Sequence, residues 1–445
     1  MKVKQFKDAP LAHFSYALVS KGEMALIDPS RNPFQYYKYA EENDAKIVAV
    51  FETHPHADFV SGHLQISEET GATIYVSEKI GANYPHTAFD EGQEVKIGNS
   101  KIRPLHTPGH SPDSMTFAAK EDDEIVLFTG DTLFIGNVGR PDLREKAGNM
   151  QAKRTELAIA MYQTMQSKFD EFPDEAIVYP AHGAGSLCGK NMSDANSSTL
   201  GNERQGNWAF QKQTETEFVE EILKDQPFVP AYFGFNVDLN RDGAENVQKS
   251  NYPIPVKISS EEVEEGVTIV DVRSGDAFKK SHFPNSINIM ARSENDKYET
   301  WLGAIIQPEE PFYLVVESVE NMDEILQRTA KIGYEEQLKG IMTLPKKALK
   351  SSDDLDLRDF KKNKNNYTIL DIRNHSEVEE GKIFDESIVI PLNELRERIN
   401  EIPTEKPIVV HCAGGYRSAS GSSILENIFA NQKIYDLSEA IKDFK

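Results

Sequence analysis

From the N-terminus onward, apolar residues come in short runs broken by turn-forming residues. AHFSYALVS and EMALID read as paired strands, PFQYYKYAEEND as a helix and KIVAVF as a buried strand. EIVLFTGD and AIVYPAHG share one design, an apolar strand running into a polar tip. A strand holds the loop at its end rigidly, so such tips suit chemistry. Residues 202–224 are polar with a helical pattern. NVDLNRDGAENVQKSNYPIP, rich in Asn with Gly and Pro, reads as a linker over 236–255.

Beyond the linker the pattern repeats. VTIVDVRSGDAFKKSHFPNSINI is answered by YTILDIRNHSEVEEGKIFDESIVIPL, so that Asp271 recurs as Asp371. Each copy continues to a second apolar strand, FYLVVES in the first and PIVVHCA in the second. Strand, helix, strand, helix at this spacing predicts a small parallel-sheet α/β unit present twice. The charged stretch SSDDLDLRDFKKNKNN reads as a solvated connection between the copies. The expected organisation is a mixed α/β domain over 1–235, the linker over 236–255, and α/β copies over 256–350 and 351–445. At about 150 residues per domain, a chain of 445 residues agrees with three.

Composition narrows the partners. The formal net charge is −23, and a surface that negative repels phosphate backbones and anionic lipid. Neither nucleic acid nor a membrane surface is therefore expected as a partner. No uninterrupted apolar stretch approaches the roughly 20 residues of a membrane-spanning helix. The early lysines are followed by an apolar part interrupted at His13, Ser15 and Ser20, so a signal peptide is not expected. Only two cysteines occur, Cys188 and Cys412. Without a disulfide framework, a reducing cytoplasm is the expected location.

Candidate chemistry falls on the strand tips. Thr53-His54-Pro55-His56-Ala57-Asp58 follows KIVAVF; His106-Thr107-Pro108-Gly109-His110, Thr129-Gly130-Asp131 and Pro180-Ala181-His182-Gly183 come later. Imidazoles and carboxylates at four strand ends can converge on one metal ion. These residues resemble the signature of the metallo-β-lactamase superfamily, which implies a four-layer αβ/βα sandwich over about the first 230 residues. One departure is Phe59, where two-metal hydrolases of the superfamily place a histidine. Phenylalanine cannot ligate, His63 one helical turn on is a weak substitute, and a mononuclear site is expected. Within the superfamily this part resembles the persulfide dioxygenases. That resemblance implies one Fe(II) per domain held by His54, His110 and Asp131, with positions left open for substrate and oxygen. It also implies that His56, Asp58 and His182 orient ligands or water from behind. The run GNVGRPDL after Asp131 fits the same family, and its Arg140 is a candidate for meeting an anionic persulfide or sulfite. Cys188, six positions after His182, is either a packed small residue or an accessory thiol that meets persulfide near the metal.

The second constellation is His411-Cys412-Ala413-Gly414-Gly415-Tyr416-Arg417-Ser418, between the strand PIVV and a helical stretch. A loop at a helix N-terminus turns its N–H groups inward at the positive end of the dipole, which stabilises a thiolate or persulfide anion. Gly414 and Gly415 let the backbone curl around the sulfur. With Asp371-Ile372-Arg373 upstream, the last 90 or so residues resemble the rhodanese sulfurtransferases. By that resemblance Cys412 is the sulfur-accepting nucleophile, Ala413 to Tyr416 form its cradle and Arg417 helps hold its anion. The first copy keeps Asp271-Val272-Arg273 but has Val315-Val316-Glu317-Ser318 in place of the cysteine. It resembles an inactive rhodanese domain, suited to spacing, docking or self-association into a homo-oligomer.

The whole chain resembles bacterial persulfide dioxygenase–rhodanese fusions. The implied activity oxidises a small thiol persulfide with O2 to sulfite, and Cys412 then passes sulfane sulfur to sulfite, giving thiosulfate. One chain holding both steps raises the local concentration of sulfite. Two rivals stand beside it. One is a thioester hydrolase of the glyoxalase II type, which makes hydroxide from metal-bound water. The other is a non-catalytic sulfur carrier with a structural metal.

Overall fold

The structure is a computed structural model that describes residues 1–145, 153–251, 253–256, 258, 261–345 and 349–445. The chain forms two compact units, residues 1–251 with 330–333, and residues 252–329 with 334–445.

Within the first unit, two six-stranded sheets carry the expected sandwich. One runs in the order β1 (Lys2–Asp8), β2 (His13–Ser20), β3 (Glu23–Ile27), β4 (Lys46–Phe51), β5 (Thr73–Val76), β6 (Thr87–Ala88). Strands β1 to β3 are antiparallel and β3 to β6 parallel. The other contains β7 (Val95–Ile97), β8 (Ser100–His106), β9 (Met115–Glu121) and β10 (Glu124–Gly130). A ribbon of β11 (Leu133–Phe134) and β12 (Asn137–Val138) follows. The second sheet is then completed by β13 (Ile177–Pro180) and β14 (Ser198–Thr199), giving the order β14-β13-β10-β9-β8-β7.

Alternation along the strands builds the layers. Tyr16, Leu18, Ala25, Ile27 and Phe51 of one sheet meet Ile102, Phe117, Ala119, Val126 and Phe128 of the other in a buried core. The opposite face of the first sheet is covered by Tyr36, Ala40 and Ile66 of the helices Phe34–Glu42 and His63–Thr70. The opposite face of the second is covered by Ala158, Met161, Met165, Phe218 and Ile222 of the helices Arg154–Ser167 and Glu215–Leu223. Helix, sheet, sheet, helix is the four-layer αβ/βα order. Polar tips of β4, β8, β10 and β13 emerge from it.

The segment expected to be a linker is not one. It holds the C-terminal part of the helix Tyr232–Asp242 and the helix Val247–Asn251, and Tyr252 lies outside the described residues. Asparagine is a poor helix former, but Tyr232, Phe233 and Val237 are buried here together with Asn236 and Asn240. Tertiary packing outweighs propensity.

The second unit contains two all-parallel four-stranded sheets of identical topology. In the first copy the order is β16-β15-β17-β18, with β15 (Thr268–Asp271), β16 (Ser286–Asn288), β17 (Phe312–Val316) and β18 (Leu338–Thr343). In the second it is β20-β19-β21-β22, with β19 (Thr368–Asp371), β20 (Ile388–Val389), β21 (Ile408–His411) and β22 (Ile434–Asp436). The charged connection between the copies is ordered in part as the helix Leu357–Lys362, capped by Asp356 and anchored by the buried Phe360. Leu355 and Leu357 of the same run pack on the cluster that holds Phe360. Among the described residues, no helix is long and apolar enough to cross a membrane.

Candidate metal centre and cysteine loop

The loop after β4 carries His54, His56 and Asp58, the loop after β8 carries His110, and Asp131 and His182 follow β10 and β13. All six are buried. One ligating atom from each of His54, His110 and Asp131 lies within 4.8 Å of the other two. Asp131 Oδ2 is 3.8 Å from His54 Nε2 and 3.6 Å from His110 Nε2.

Hydrogen bonds set the ring tautomers. The Thr53 hydroxyl donates to Asp28 Oδ2 at 2.9 Å, so at 3.1 Å it accepts from His54 Nδ1–H. His110 Nδ1–H donates to the Arg140 carbonyl at 2.9 Å. Both Nε2 atoms are thereby left with a lone pair directed at Asp131. Burial lowers the proton affinity of both rings, which keeps them in the neutral form a metal requires. Burial also opposes ionisation of Asp131, but His182 and the other imidazoles hold its carboxyl well below the usual range. His54 Nε2 and Asp131 Oδ2 have no hydrogen-bond partner among the described residues. Buried lone pairs left without a hydrogen to accept fit a cation.

His182 sits between two carboxylates, Nδ1 2.7 Å from Asp131 Oδ1 and Nε2 2.7 Å from Asp58 Oδ2. Burial disfavours its charge, but Asp131 and Asp58 raise its proton affinity well above the ordinary value. Phe59, in place of a histidine, packs against His13 and His56 with ring centroids 3.8 and 4.5 Å apart. His63 is engaged elsewhere, its Nδ1 3.5 Å from Glu52 Oε1 and its ring against Tyr84. Three further groups are found among the described residues: His56, Asp131 and His182; Asp58, His182 and Cys188; and Asp28, Glu52 and His56. Cys188 is a buried thiol, and burial together with Asp58 and Asp131 pushes its pKa well above the usual value.

Arg140 has a different part from the one expected. Its guanidinium pairs with both oxygens of Asp142, at 2.6 and 2.7 Å, and donates to the Leu187 carbonyl. A fork so engaged and buried does not reach for an anion. Its main chain does the work at the site, accepting from His110 and donating to the Cys188 carbonyl. The neighbouring Gly139 explains the glycine in GNVGRPDL: a Cβ there would lie 1.9 Å from the Asp131 carbonyl and 3.0 Å from His110 Nδ1.

Asn240 was missed by the sequence reading. Its Nδ2 donates to the carbonyls of His56 and Phe59, at 2.8 and 2.7 Å, and its Oδ1 accepts from Ser61 N–H at 2.8 Å. One side chain thus clamps the loop that carries three of the site residues. Asn240→Ala leaves three buried backbone groups without their partner, at about 1–3 kcal/mol each. We expect a lower melting temperature and reduced metal content, checked by calorimetry and elemental analysis. Unchanged metal content would contradict the clamp.

In the second unit, Cys412 is buried at the end of β21, and Gly415 N–H donates to its Sγ at 3.1 Å. Ala413 is half-buried, Gly414 exposed, and Tyr416 opens the helix Tyr416–Ile428. Gly415 has φ +101°, and a Cβ there would lie 2.8 Å from the Ser438 carbonyl carbon, so only glycine closes this loop. The Arg417 guanidinium meets both oxygens of Glu377, at 2.5 and 2.6 Å. The internal repeat could have revealed Glu377: its counterpart in the first copy is Ala277, and that copy also lacks the cysteine. By contrast Asp271–Arg273 and Asp371–Arg373 form the same buried bidentate pair in both copies. Present with and without a cysteine, that pair is a structural clip from strand to helix.

Comparison with known proteins agrees with this division. Residues 8–182 match the metallo-beta-lactamase superfamily, and residues 257–339 and 356–445 match the rhodanese-like domain. A probable hydroxyacylglutathione hydrolase of Schizosaccharomyces pombe is 27% identical over 233 residues, 47% of this chain and 83% of that protein. The mitochondrial persulfide dioxygenase ETHE1 of Homo sapiens is 27% identical over 173 residues, 38% of this chain and 63% of that protein. A crystal structure of a metallo-beta-lactamase from Staphylococcus aureus subsp. aureus COL is 31% identical, with a TM-score of 0.70. The match covers 77% of this chain and 99% of that one. The chain belongs to the metallo-beta-lactamase superfamily, with rhodanese-like domains following the sandwich.

Proposed function

We propose that the protein is an Fe(II) persulfide dioxygenase joined to a sulfurtransferase, the first over 1–235 and the second over 351–445. The observation that carries this reading is the convergence of two neutral imidazoles and one carboxylate, His54, His110 and Asp131, on one buried point. Two histidines and a carboxylate with open positions suit non-haem iron. When bound, Fe(II) would supply the redox chemistry of oxygen activation.

The chain's own residues do the rest. Thr53 and the Arg140 carbonyl fix the two rings with Nε2 toward the centre. His182, held by Asp58, anchors Asp131 through Oδ1 and leaves Oδ2 to ligate. Phe59, at the position where two-metal hydrolases of the superfamily place a histidine, packs at a tilt against the His13 ring. The overall reaction consumes a thiol persulfide, O2 and water and gives the thiol, sulfite and two protons. In the second unit, the Cys412 thiolate attacks the outer sulfur of another persulfide. The donor S–S bond breaks, the carrier leaves as its thiol, and the sulfane sulfur stays on Cys412. The sulfite lone pair then takes that sulfur, releasing thiosulfate and the thiolate. The first rhodanese-like copy, with Val316-Glu317-Ser318 where the cysteine would stand, takes no sulfur.

A second reading is favoured by a specific observation. His56, Asp131 and His182 also gather within ligating reach, as a two-metal thioester hydrolase requires. The two readings differ in what they consume. Under our proposal the purified protein takes up oxygen with a thiol persulfide and leaves an acyl-thioester of the same thiol intact. Hydrolysis of the thioester without oxygen uptake would overturn it.

A further inference from the structure

The helix behind the cysteine loop is weak on its own account. Tyr416–Ile428 contains four serines and Gly421 in thirteen residues, and neither residue type favours a helix interior. Its stability must come from what it packs on. One side lies on its own sheet, where a Cβ on Gly421 would be 2.8 Å from Ile372 and 3.2 Å from Val410. The other side lies on the cysteine-less copy.

There it meets the edge strand of that copy's sheet. Among the described residues β16 pairs with β15 alone, so its outward N–H and C=O groups need partners. The helix supplies them. Ser420 Oγ donates to the Asn288 carbonyl at 2.6 Å, Ser423 Oγ accepts from Asn288 N–H at 2.9 Å, and Asn427 Nδ2 donates to the Ser286 carbonyl at 3.0 Å. Ser420 and Ser423 are buried. Two of the four serines that weaken the helix thus complete the neighbouring sheet.

The contact extends to the loop itself. The Tyr416 hydroxyl donates to the Met290 carbonyl at 2.6 Å, and the Arg417 guanidinium lies 5.8 Å from the centre of the Trp301 ring. Met290 and Trp301 both belong to the cysteine-less copy. The cradle between Cys412 and Tyr416 includes two adjacent glycines, one of which, Gly414, would have nothing near a Cβ. Such a segment has little stiffness of its own. Its shape must be imposed at its ends, by β21 on one side and by Tyr416 on the other.

We propose that the cysteine-less copy is the missing half of the sulfur-transfer site, and that Tyr416 is its positioning residue. Tied to Met290, Tyr416 fixes the first turn of the helix, and with it the direction of the Gly415 N–H that meets Cys412 Sγ. This rests on the sulfur-transfer reading of Cys412, but its test does not depend on that reading alone. Tyr416→Phe removes one hydroxyl and leaves the ring. The full chain is alkylated with iodoacetamide across a pH series and the Cys412 peptide is followed by mass spectrometry. Thiosulfate formation from a thiol persulfide and sulfite is measured in parallel.

We expect the alkylation profile of Tyr416→Phe to move to higher pH. Sulfur transfer should fall about fivefold, the loss a single buried neutral hydrogen bond gives. Ser420→Ala, which removes the next tether along the helix, should move both readouts the same way by less. A parent that transfers sulfur, with both variants matching it in profile and rate, would overturn the positioning role. A parent that transfers no sulfur, with a profile that still moves in Tyr416→Phe, supports the positioning role and instead removes the sulfur-transfer reading.

Discussion

Asp131→Ala is expected to abolish persulfide-dependent oxygen uptake and to strip the protein of its metal. Asp131 lies against His54, His110 and His182 at once. Its Oδ2 faces His54 and His110, and its Oδ1 accepts from His182. Without it, only His54 and His110 would remain to hold a cation, and His182 loses one of the two carboxylates that raise its proton affinity. Removing a mere outer partner of a ligand costs roughly 10–100-fold in metal affinity; loss of an anionic ligand is expected to exceed that. Asp131→Asn keeps the shape and the bond from His182 but not the charge, and should fall between the two. If oxygen uptake survives in Asp131→Ala, the metal only supports the fold and the catalytic reading fails.

Cys412→Ser should separate the two halves of the reaction. His54, His110 and Asp131 lie in the first unit and Cys412 in the second, and a serine hydroxyl is not ionised at neutral pH and accepts no sulfane sulfur. Oxygen uptake is expected to continue while sulfite accumulates in place of thiosulfate. Ion chromatography of the products reads this directly. Thiosulfate formed at the parent rate by Cys412→Ser would show that the loop, for all its inward N–H group, is not the site of transfer.

What could be read from sequence follows from which interactions are local. The strand tips were legible because short apolar runs ending in His or Asp have few other uses, and the structure brings those residues to one point. The cysteine loop was legible for the same reason, as Cys, two glycines and Arg fall within one strand-to-helix turn. Arg140 was misread because sequence gives a side chain's charge but not its direction, and Asp142 two positions on was an equally good partner. Asn240 was invisible because its three bonds run to residues some 180 positions earlier. The same long-range bonds turned an apparent linker into a helix. Glu377 lay between these cases, local in fold but evident only when the two copies are set side by side.

The central claim is a single redox-active cation on three side chains. Its most direct test is the metal itself, counted and located in protein prepared without oxygen. Elemental analysis together with anomalous scattering from crystals should find one iron per chain, bound by His54, His110 and Asp131. Two zinc ions sharing Asp131, with His56, Asp58 and His182 among their ligands, would contradict the account and make the protein a hydrolase.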